Sequence, residues 1–549
     1  MIRFLILILT SIILLLPFKG FSQTGMEALD AIIENQIKGI QPGLTVGVVK
    51  DMKIVYERYA GFSNLAHQIP VDSSTRFNIA SNAKQYTAFM ILYLEDLGKL
   101  KITDDFRKYL PEYFPEIKSP ITIGNLLNHS SGIRDFYELM SLEGRTWWKH
   151  VGLDNNDALE LLRKQTALNF EPGSQHLYSN SNYTLLTEVV KSVSGQSFPK
   201  AIATLFDSLG MPNTRFQTNY MSVIPNKALP YSDWGDGVWK QYPMVTNLYG
   251  DGFLFTTLRD QLKWEMQIQE MYSDIDPVEL LAKSQKPIPG SEIENYGFGI
   301  EFGNYKGKQI VYHEGATGSY SAYFIRIPSE TVSVVVMTNN GSVWSEGLAK
   351  EILDEVVVFN AEEDHPGMPS AIGARPGLEA LPGDYLLKDG TLIKLYLEKR
   401  KLFRSIYNRE PVEIVHEKGN VFRYATIENL KMVFVANATN SYDFELYMPG
   451  TPVRIAPRLP EQSILDNWEN ADGTYVNSEL GVKFQMQYKE GRTFEISMRD
   501  NSYTAELLRN DWIQMGDYKL NIERNKSGEI TALLLDQNRL RNVRFSKRL

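Results

Sequence analysis

Three short stretches of this 549-residue chain hold the residue types that acyl-transfer chemistry uses. Ser81-Asn82-Ala83-Lys84 sets a hydroxyl and an amine three residues apart, and on a helix that spacing puts both on one face. A serine hydroxyl is a weak nucleophile until a base takes its proton, and a lysine can be that base when burial or a nearby cation lowers its pKa. Tyr178-Ser179-Asn180 offers a phenol that ionises more easily beside a cationic lysine and can accept the serine proton. Its asparagine can hold the lysine and donate to a substrate carbonyl. His313-Glu314-Gly315 reads as strand, with a glycine that lets a substrate backbone come close. The amide of Ala316, next along the chain, could join that of Ser81 in an oxyanion hole.

Each stretch also has a plainer reading: an N-cap serine before a surface lysine, a core aromatic beside a turn asparagine, a strand histidine before a turn. Ser197-Phe198-Pro199-Lys200 and His365-Pro366-Gly367 repeat two of the patterns elsewhere, so neither is specific alone.

The elements that must position these residues can be read from periodicity. Residues 82–97 predict a helix that is apolar almost all round from Phe89 to Leu94, hence buried on most faces, with Gly98 as a stop. Further helices are expected at 156–166 and 183–194. Residues 45–49 and 53–59 predict a hairpin around Asp51-Met52, and late strands are expected at 309–313, 321–327 and 332–338. Strands at both ends with helices between imply an α+β unit whose one sheet is closed by its two termini.

The chain divides by composition. Residues 1–22 read as a secretory signal, with Arg3, an apolar core and Gly20-Phe21-Ser22 before Gln23; an uncleaved anchor is the alternative. Residues 23–360 form the large α+β unit and 361–380 a Pro/Gly-rich linker. Beyond it lie short alternating strands in two modules, 381–460 and 461–549. They are marked by a weak repeat, Pro382-Gly383-Asp384-Tyr385 echoed by Asp472-Gly473-Thr474-Tyr475. Two small antiparallel barrels fit best; one continuous sheet is the competing arrangement.

Composition narrows the function. There are 57 Lys and Arg, two of them within residues 1–22, against 66 Asp and Glu, a balance that argues against a nucleic-acid partner. There is no cysteine, so no disulfide, and the seven histidines show no metal-ligand spacing. No metal and no organic cofactor is expected.

Together, in this order, the three stretches resemble the serine β-lactamase and penicillin-binding-protein superfamily, in its class C β-lactamase-like branch. Pro42-Gly43-Leu44, Ile121-Thr122-Ile123, the run from Leu126 to Gly132, Leu209-Gly210-Met211 and Tyr296-Gly297-Phe298-Gly299 support this over about residues 30 to 345. The resemblance implies a β-lactamase/transpeptidase-like fold, Ser81 as acyl-accepting nucleophile, Lys84 and Tyr178 as the proton-transfer pair and Asn180 assisting. It also implies an oxyanion hole from the amides of Ser81 and Ala316. His313 and Gly315 take the positions of the family's Lys-Thr-Gly motif, but with histidine and Glu314 in place of lysine and threonine. A mostly neutral histidine and an added acid weaken the case for a β-lactam or a free carboxylate as substrate. Asn182 stands where the branch often has glycine, and Asp251 interrupts a Gly-Gly pair.

A hydrolase unit followed by two β modules resembles D-aminopeptidases, in which a barrel loop reaches the catalytic cleft. The expectation is a periplasmic or secreted serine hydrolase that cleaves amide or ester bonds of small peptides, those with D-residues among the candidates, or of esters, through an acyl-enzyme on Ser81. It has no integral membrane domain once the signal is removed, and its partner is a small-molecule or short-peptide substrate. Within the enzyme class, the alternatives are an esterase and a weak β-lactamase or penicillin-binding protein. From another class, the alternative is a module that holds peptidoglycan or a peptide without turning it over.

Overall fold

The computed structural model describes residues 23–271, 279–359 and 373–548, apart from 389, 408, 428–429, 440, 448–452 and 463–467. The signal-like segment 1–22, and residues 360–372 of the expected linker, lie outside the described residues.

Strands β1 (Leu44–Lys50) and β2 (Lys53–Ala60) form the expected hairpin. Asp51 and Met52 both take positive φ, 50° and 61°, as a two-residue turn matched to the strand twist requires. Strands β3 (Glu301–Tyr305), β4 (Lys308–Thr317), β5 (Tyr320–Ile327) and β6 (Val332–Thr338) complete an antiparallel sheet in the order β3-β4-β5-β6-β1-β2. The first strand pairs with the last along its whole length, from Leu44 opposite Thr338 to Lys50 opposite Val332, so the two ends of the unit do close one sheet. Strand β3 was not apparent from the sequence, because only Tyr305 and Phe302 break an otherwise polar run.

The helices that position the site are α1 (Gln23–Gln36), α2 (Lys84–Asp96), α3 (Phe136–Glu143), α4 (Asn180–Ser194), α5 (Leu258–Met271) and α6 (Ser345–Val356). Helices α1 and α6 cover one face of the sheet, packing Leu29, Ile33, Leu348 and Ile352 on Val46, Val48 and Val334. Helix α5 covers the other so closely that a Cβ on Gly47 would stand 2.6 Å from Leu262 Cδ2. Helix α2 is buried on nearly every face, as its all-round apolar sequence demands. Its few polar side chains are answered: Gln85 Oε1 accepts from Trp264 Nε1 at 2.7 Å, and the Tyr86 hydroxyl donates to Gln261 Oε1 at 2.6 Å. Among the described residues no helix is long and apolar enough to cross a membrane.

The tail forms two separate eight-stranded antiparallel sheets, not one continuous sheet. In the first, Tyr385 on the opening strand bridges to Arg458 just past the closing one, bringing the edges together; the second is a closed barrel. The sequence repeat marks the same corner in each. A 3₁₀ turn precedes the strand, and Tyr385 donates to Leu381 O at 2.8 Å as Tyr475 does to Ala471 O at 2.7 Å. Gly383 and Gly473 take φ of 155° and 147°, where a side chain is disfavoured. The first barrel has its own core, whereas the core of the second is continuous with that of the large α+β unit.

Candidate active site

Ser81 sits in the 3₁₀ turn Ala80–Ala83 that runs into α2. The turn is held from both sides: Ala80 N donates to Asn78 Oδ1 at 2.9 Å, and Asn82 Nδ2 to Ala322 O at 3.1 Å. Ala80 takes φ 45°, a conformation costly for a residue with a Cβ and tolerated where the surroundings over-determine it. The helical spacing brings Lys84 beneath the serine. Lys84 Nζ, fully buried, donates to Ser81 Oγ at 3.0 Å, Asn180 Oδ1 at 2.9 Å and Asp251 O at 2.6 Å. Burial brings its pKa down to about 7; Arg539 pushes the same way, and Asp251 and Asp135 oppose.

Asn180 is the first residue of α4, three residues before the helix expected there. Asp135 sets its orientation: Asp135 Oδ2 accepts from both Asn180 N at 2.7 Å and Asn180 Nδ2 at 2.8 Å. The amide oxygen is thereby left facing the lysine. Asp135 also caps α3, accepting from Tyr137 N at 3.0 Å. The sequence held a signal for it, an Asp three residues ahead of Glu138 at a helix start, but nothing in it linked that cap to Asn180.

Tyr178, half-buried, packs against Lys84, whose Nζ lies 4.8 Å from the ring centre. Burial raises the phenol pKa far above its ordinary value, while the Ser81 hydroxyl and the Arg539 guanidinium draw it back. His129 packs on the ring at 4.3 Å and accepts from Ser179 N at 3.3 Å. Asn182, unexplained by sequence, bridges Ser131 Oγ (2.7 Å) and His129 Nδ1 (3.0 Å), locking that imidazole in place.

Strand β4 outruns the residues expected of it and carries the whole His313–Ala316 stretch. Its pairing with β3 ends at Tyr312, so beyond that point this edge lies against the Ser81 turn. A Cβ on Gly315 would fall 2.2 Å from Ile79 O and 3.0 Å from Ser81 N; only glycine permits that approach. His313 Nδ1 donates to Glu314 O at 2.6 Å, so its Nε2 accepts from the Tyr296 hydroxyl at 2.8 Å. Burial, then the Lys84 charge, push its pKa down to about 3. The histidine is therefore neutral and offers no cation to a substrate. Glu314 is exposed and is not among the residues that line the cavity.

A cavity of about 420 Å³ opens over Ser81. Ser81, Tyr178, Asn180 and Ala316 line it, whereas Lys84, His313 and Gly315 stand behind its wall. Its other side is formed by Tyr137, Glu138, Trp147 and Trp148, and by Gln537, Asn538 and Arg539 from the last hairpin of the second barrel. That hairpin is pinned on both flanks. Asn538 Nδ2 donates to Glu138 Oε1 at 2.7 Å, and Asn169 exchanges hydrogen bonds with Arg539 O (3.0 Å) and Arg541 N (2.7 Å). Arg539 lies over the Tyr178 ring at 4.8 Å. Tyr137 and Arg539 escaped sequence reasoning because nothing local distinguishes them, and Asp135 because its capping signal does not point to Asn180.

The family model described as Beta-lactamase matches residues 29–356, more than half of the chain. The chain belongs to the beta-lactamase family. It stands in the superfamily of serine β-lactamases and penicillin-binding proteins, and its relatives reach beyond the matched residues. It is 27% identical over 338 residues to a D-aminopeptidase of Gluconobacter oxydans, covering 60% of this chain and 62% of that protein. It is 27% identical over 474 residues to a D-aminopeptidase of Cereibacter sphaeroides (strain KD131), covering 85% of each. The chain thus spans about three-fifths of the first of these relatives. In fold, it superposes with a TM-score of 0.56 on an octameric penicillin-binding protein homologue from Pyrococcus abyssi, at 22% identity, covering 79% of this chain and 100% of that one.

Proposed function

We propose that this chain is an exported serine hydrolase that cleaves amide bonds of amino-acid amides and short peptides, D-residues included, through an acyl-enzyme on Ser81. The observation that carries the reading is the buried Lys84 Nζ, 3.0 Å from Ser81 Oγ, with a pKa brought down to about 7. At that distance and pKa it suits a general base. Ser81 Oγ attacks the carbonyl carbon as its proton passes to Lys84, and the carbonyl oxygen takes the negative charge beside the amides of Ser81 and Ala316. The C–N bond then breaks and the departing amine takes a proton through the Lys84–Tyr178 pair. Water attacks the ester, gives its proton to the same pair, and Ser81 regains a proton as the acid leaves. The D-aminopeptidase relatives support the amide class. The neutral His313 speaks against a carboxylate-anchored β-lactam.

Ser81→Ala is expected to abolish both turnover of a panel of D- and L-amino-acid amides and labelling by a fluorophosphonate; undiminished turnover overturns the assignment. The signal-like segment supports export, and a periplasmic or secreted product beginning at Gln23 by mass spectrometry is its check.

A further inference from the structure

His129 is a buried imidazole that the proposed proton transfers do not use. It lies in the turn after the short helix Ile123–Leu127, fully buried, with φ 57°, a strained backbone for a residue with a Cβ. It grips the backbone on both sides of Tyr178. Leu177 N donates to the His129 carbonyl at 3.0 Å, and Ser179 N donates to Nδ1 at 3.3 Å. Between those two bonds the Tyr178 ring packs on the imidazole, 4.3 Å from centre to centre.

The surrounding hydrogen bonds fix the tautomer. Ser131 Oγ accepts from Ile133 N at 3.1 Å and donates to Asn182 Oδ1 at 2.7 Å, which leaves Asn182 Nδ2 facing Nδ1 at 3.0 Å. With donors from Ser179 and Asn182 converging on it, Nδ1 carries no proton, and the neutral ring holds its proton on Nε2. Burial, then the neighbouring His176 and the Lys84 amine, keep the ring neutral. Nε2 is itself buried and has no partner among the described residues. A ring chosen only to fill space would not strand a donor there, since an apolar side chain avoids that cost. What a histidine adds is the acceptor at Nδ1, and it acts on the backbone beside Tyr178. The tyrosine needs such a hold. Its ring is half-buried and lines the open cavity, which leaves it room to swing away from Lys84, whereas a group that passes protons has to stay within hydrogen-bond reach of its partners.

We propose that His129 is a positioning residue, whose Nδ1 acts as a fixed acceptor that keeps Tyr178 at Ser81 and Lys84. This rests on the reading of the chain as a serine hydrolase with Lys84 and Tyr178 as its proton-transfer pair. The test is a set of full mature chains, followed by turnover of D- and L-amino-acid amides and by the rate of fluorophosphonate labelling of Ser81. His129→Leu removes the acceptor and is expected to lower kcat and the labelling rate about a hundredfold, as a shift near 1 Å at reacting groups does, with KM little changed. His129→Asn keeps an acceptor on Cγ, where Nδ1 stands, and tolerates positive φ; it is expected to recover at least about tenfold of that loss. Added to Tyr178→Phe, His129→Leu is expected to cost less than about threefold more, because residues that act as a unit are not additive. Losses that add in full overturn the proposal, and so does an asparagine chain no faster than the leucine one. Should His129→Leu fail to fold, His129→Gly takes its place, since glycine fits φ 57° but has no acceptor. Nitrogen NMR of the wild-type ring needs no variant, and a proton on Nδ1 overturns the proposal. A wild-type chain inert towards both the amides and the label would sink the hydrolase reading and this one with it; additive losses in an active chain sink this one alone.

Discussion

The guanidinium of Arg539 lies 4.8 Å from the centre of the Tyr178 ring and, through Nη1, 3.5 Å from Asp135 Oδ2. A residue of the last hairpin thus stands over Tyr178 and Lys84, the proposed proton-transfer pair. Its positive charge makes it harder for Lys84 to hold a proton. If unprotonated Lys84 is the base, kcat/KM for an amide rises with pH through about 7. Removing the Arg539 charge raises the Lys84 pKa, so in Arg539→Met the rise moves to higher pH. A pH–rate profile checks both; a rise at the same pH would show that Arg539 serves only to pack the hairpin.

Gly315 is predicted to tolerate no side chain. The Cβ of Gly315→Ala would overlap the Ile79 carbonyl, a backbone atom that moves only if the strand and the Ser81 turn separate. A shift near 1 Å at reacting groups costs roughly a hundredfold in rate, and overpacking costs about 1–3 kcal/mol of stability. Steady-state kinetics and thermal melts of the variant give both numbers.

Arg326 and Glu265 form a buried two-point ion pair behind the site, at 2.6 and 2.7 Å, and Arg326 also donates to Gln85 and Gln285. Glu265→Gln breaks this buried pair by removing one charged partner, at an expected cost of about 3–5 kcal/mol. Replacing both partners with apolar residues of like volume should restore much of that loss. Denaturant titrations of the single and double variants provide the comparison.

A β-lactam is predicted to be a poor substrate. His313, held neutral, cannot supply the one charge-assisted contact to a drug carboxylate, worth about 1.5–3 kcal/mol. Nitrocefin should therefore turn over at least about tenfold more slowly, per kcat/KM, than the best amino-acid amide. Comparable rates would return the chain to a β-lactamase reading.

What was legible in the sequence was what neighbours along the chain decide. The hairpin at 44–60 shows because alternation and a two-residue turn are local. Helix α2 shows because a buried helix needs apolar residues all round. The corners at Tyr385 and Tyr475 show because each hydrogen bond spans four residues. Strand β3 did not show, since its register comes from β4 and its own residues are largely polar. The start of α4 was read three residues late, because Asn180 is held there by Asp135 and not by helix propensity.

By itself, the sequence determined that Ser81 and Lys84 share a helix face and that a histidine stands where a lysine is usual, both matters of residue identity and spacing. The charge on each group was decided only by the tertiary structure. Burial lowers Lys84 and His313, Asp135 turns Asn180 toward the lysine, and Arg539 arrives from the far barrel. Desolvation and Coulomb terms depend on what lies within a few ångströms in space, and here those neighbours are up to several hundred residues away along the chain.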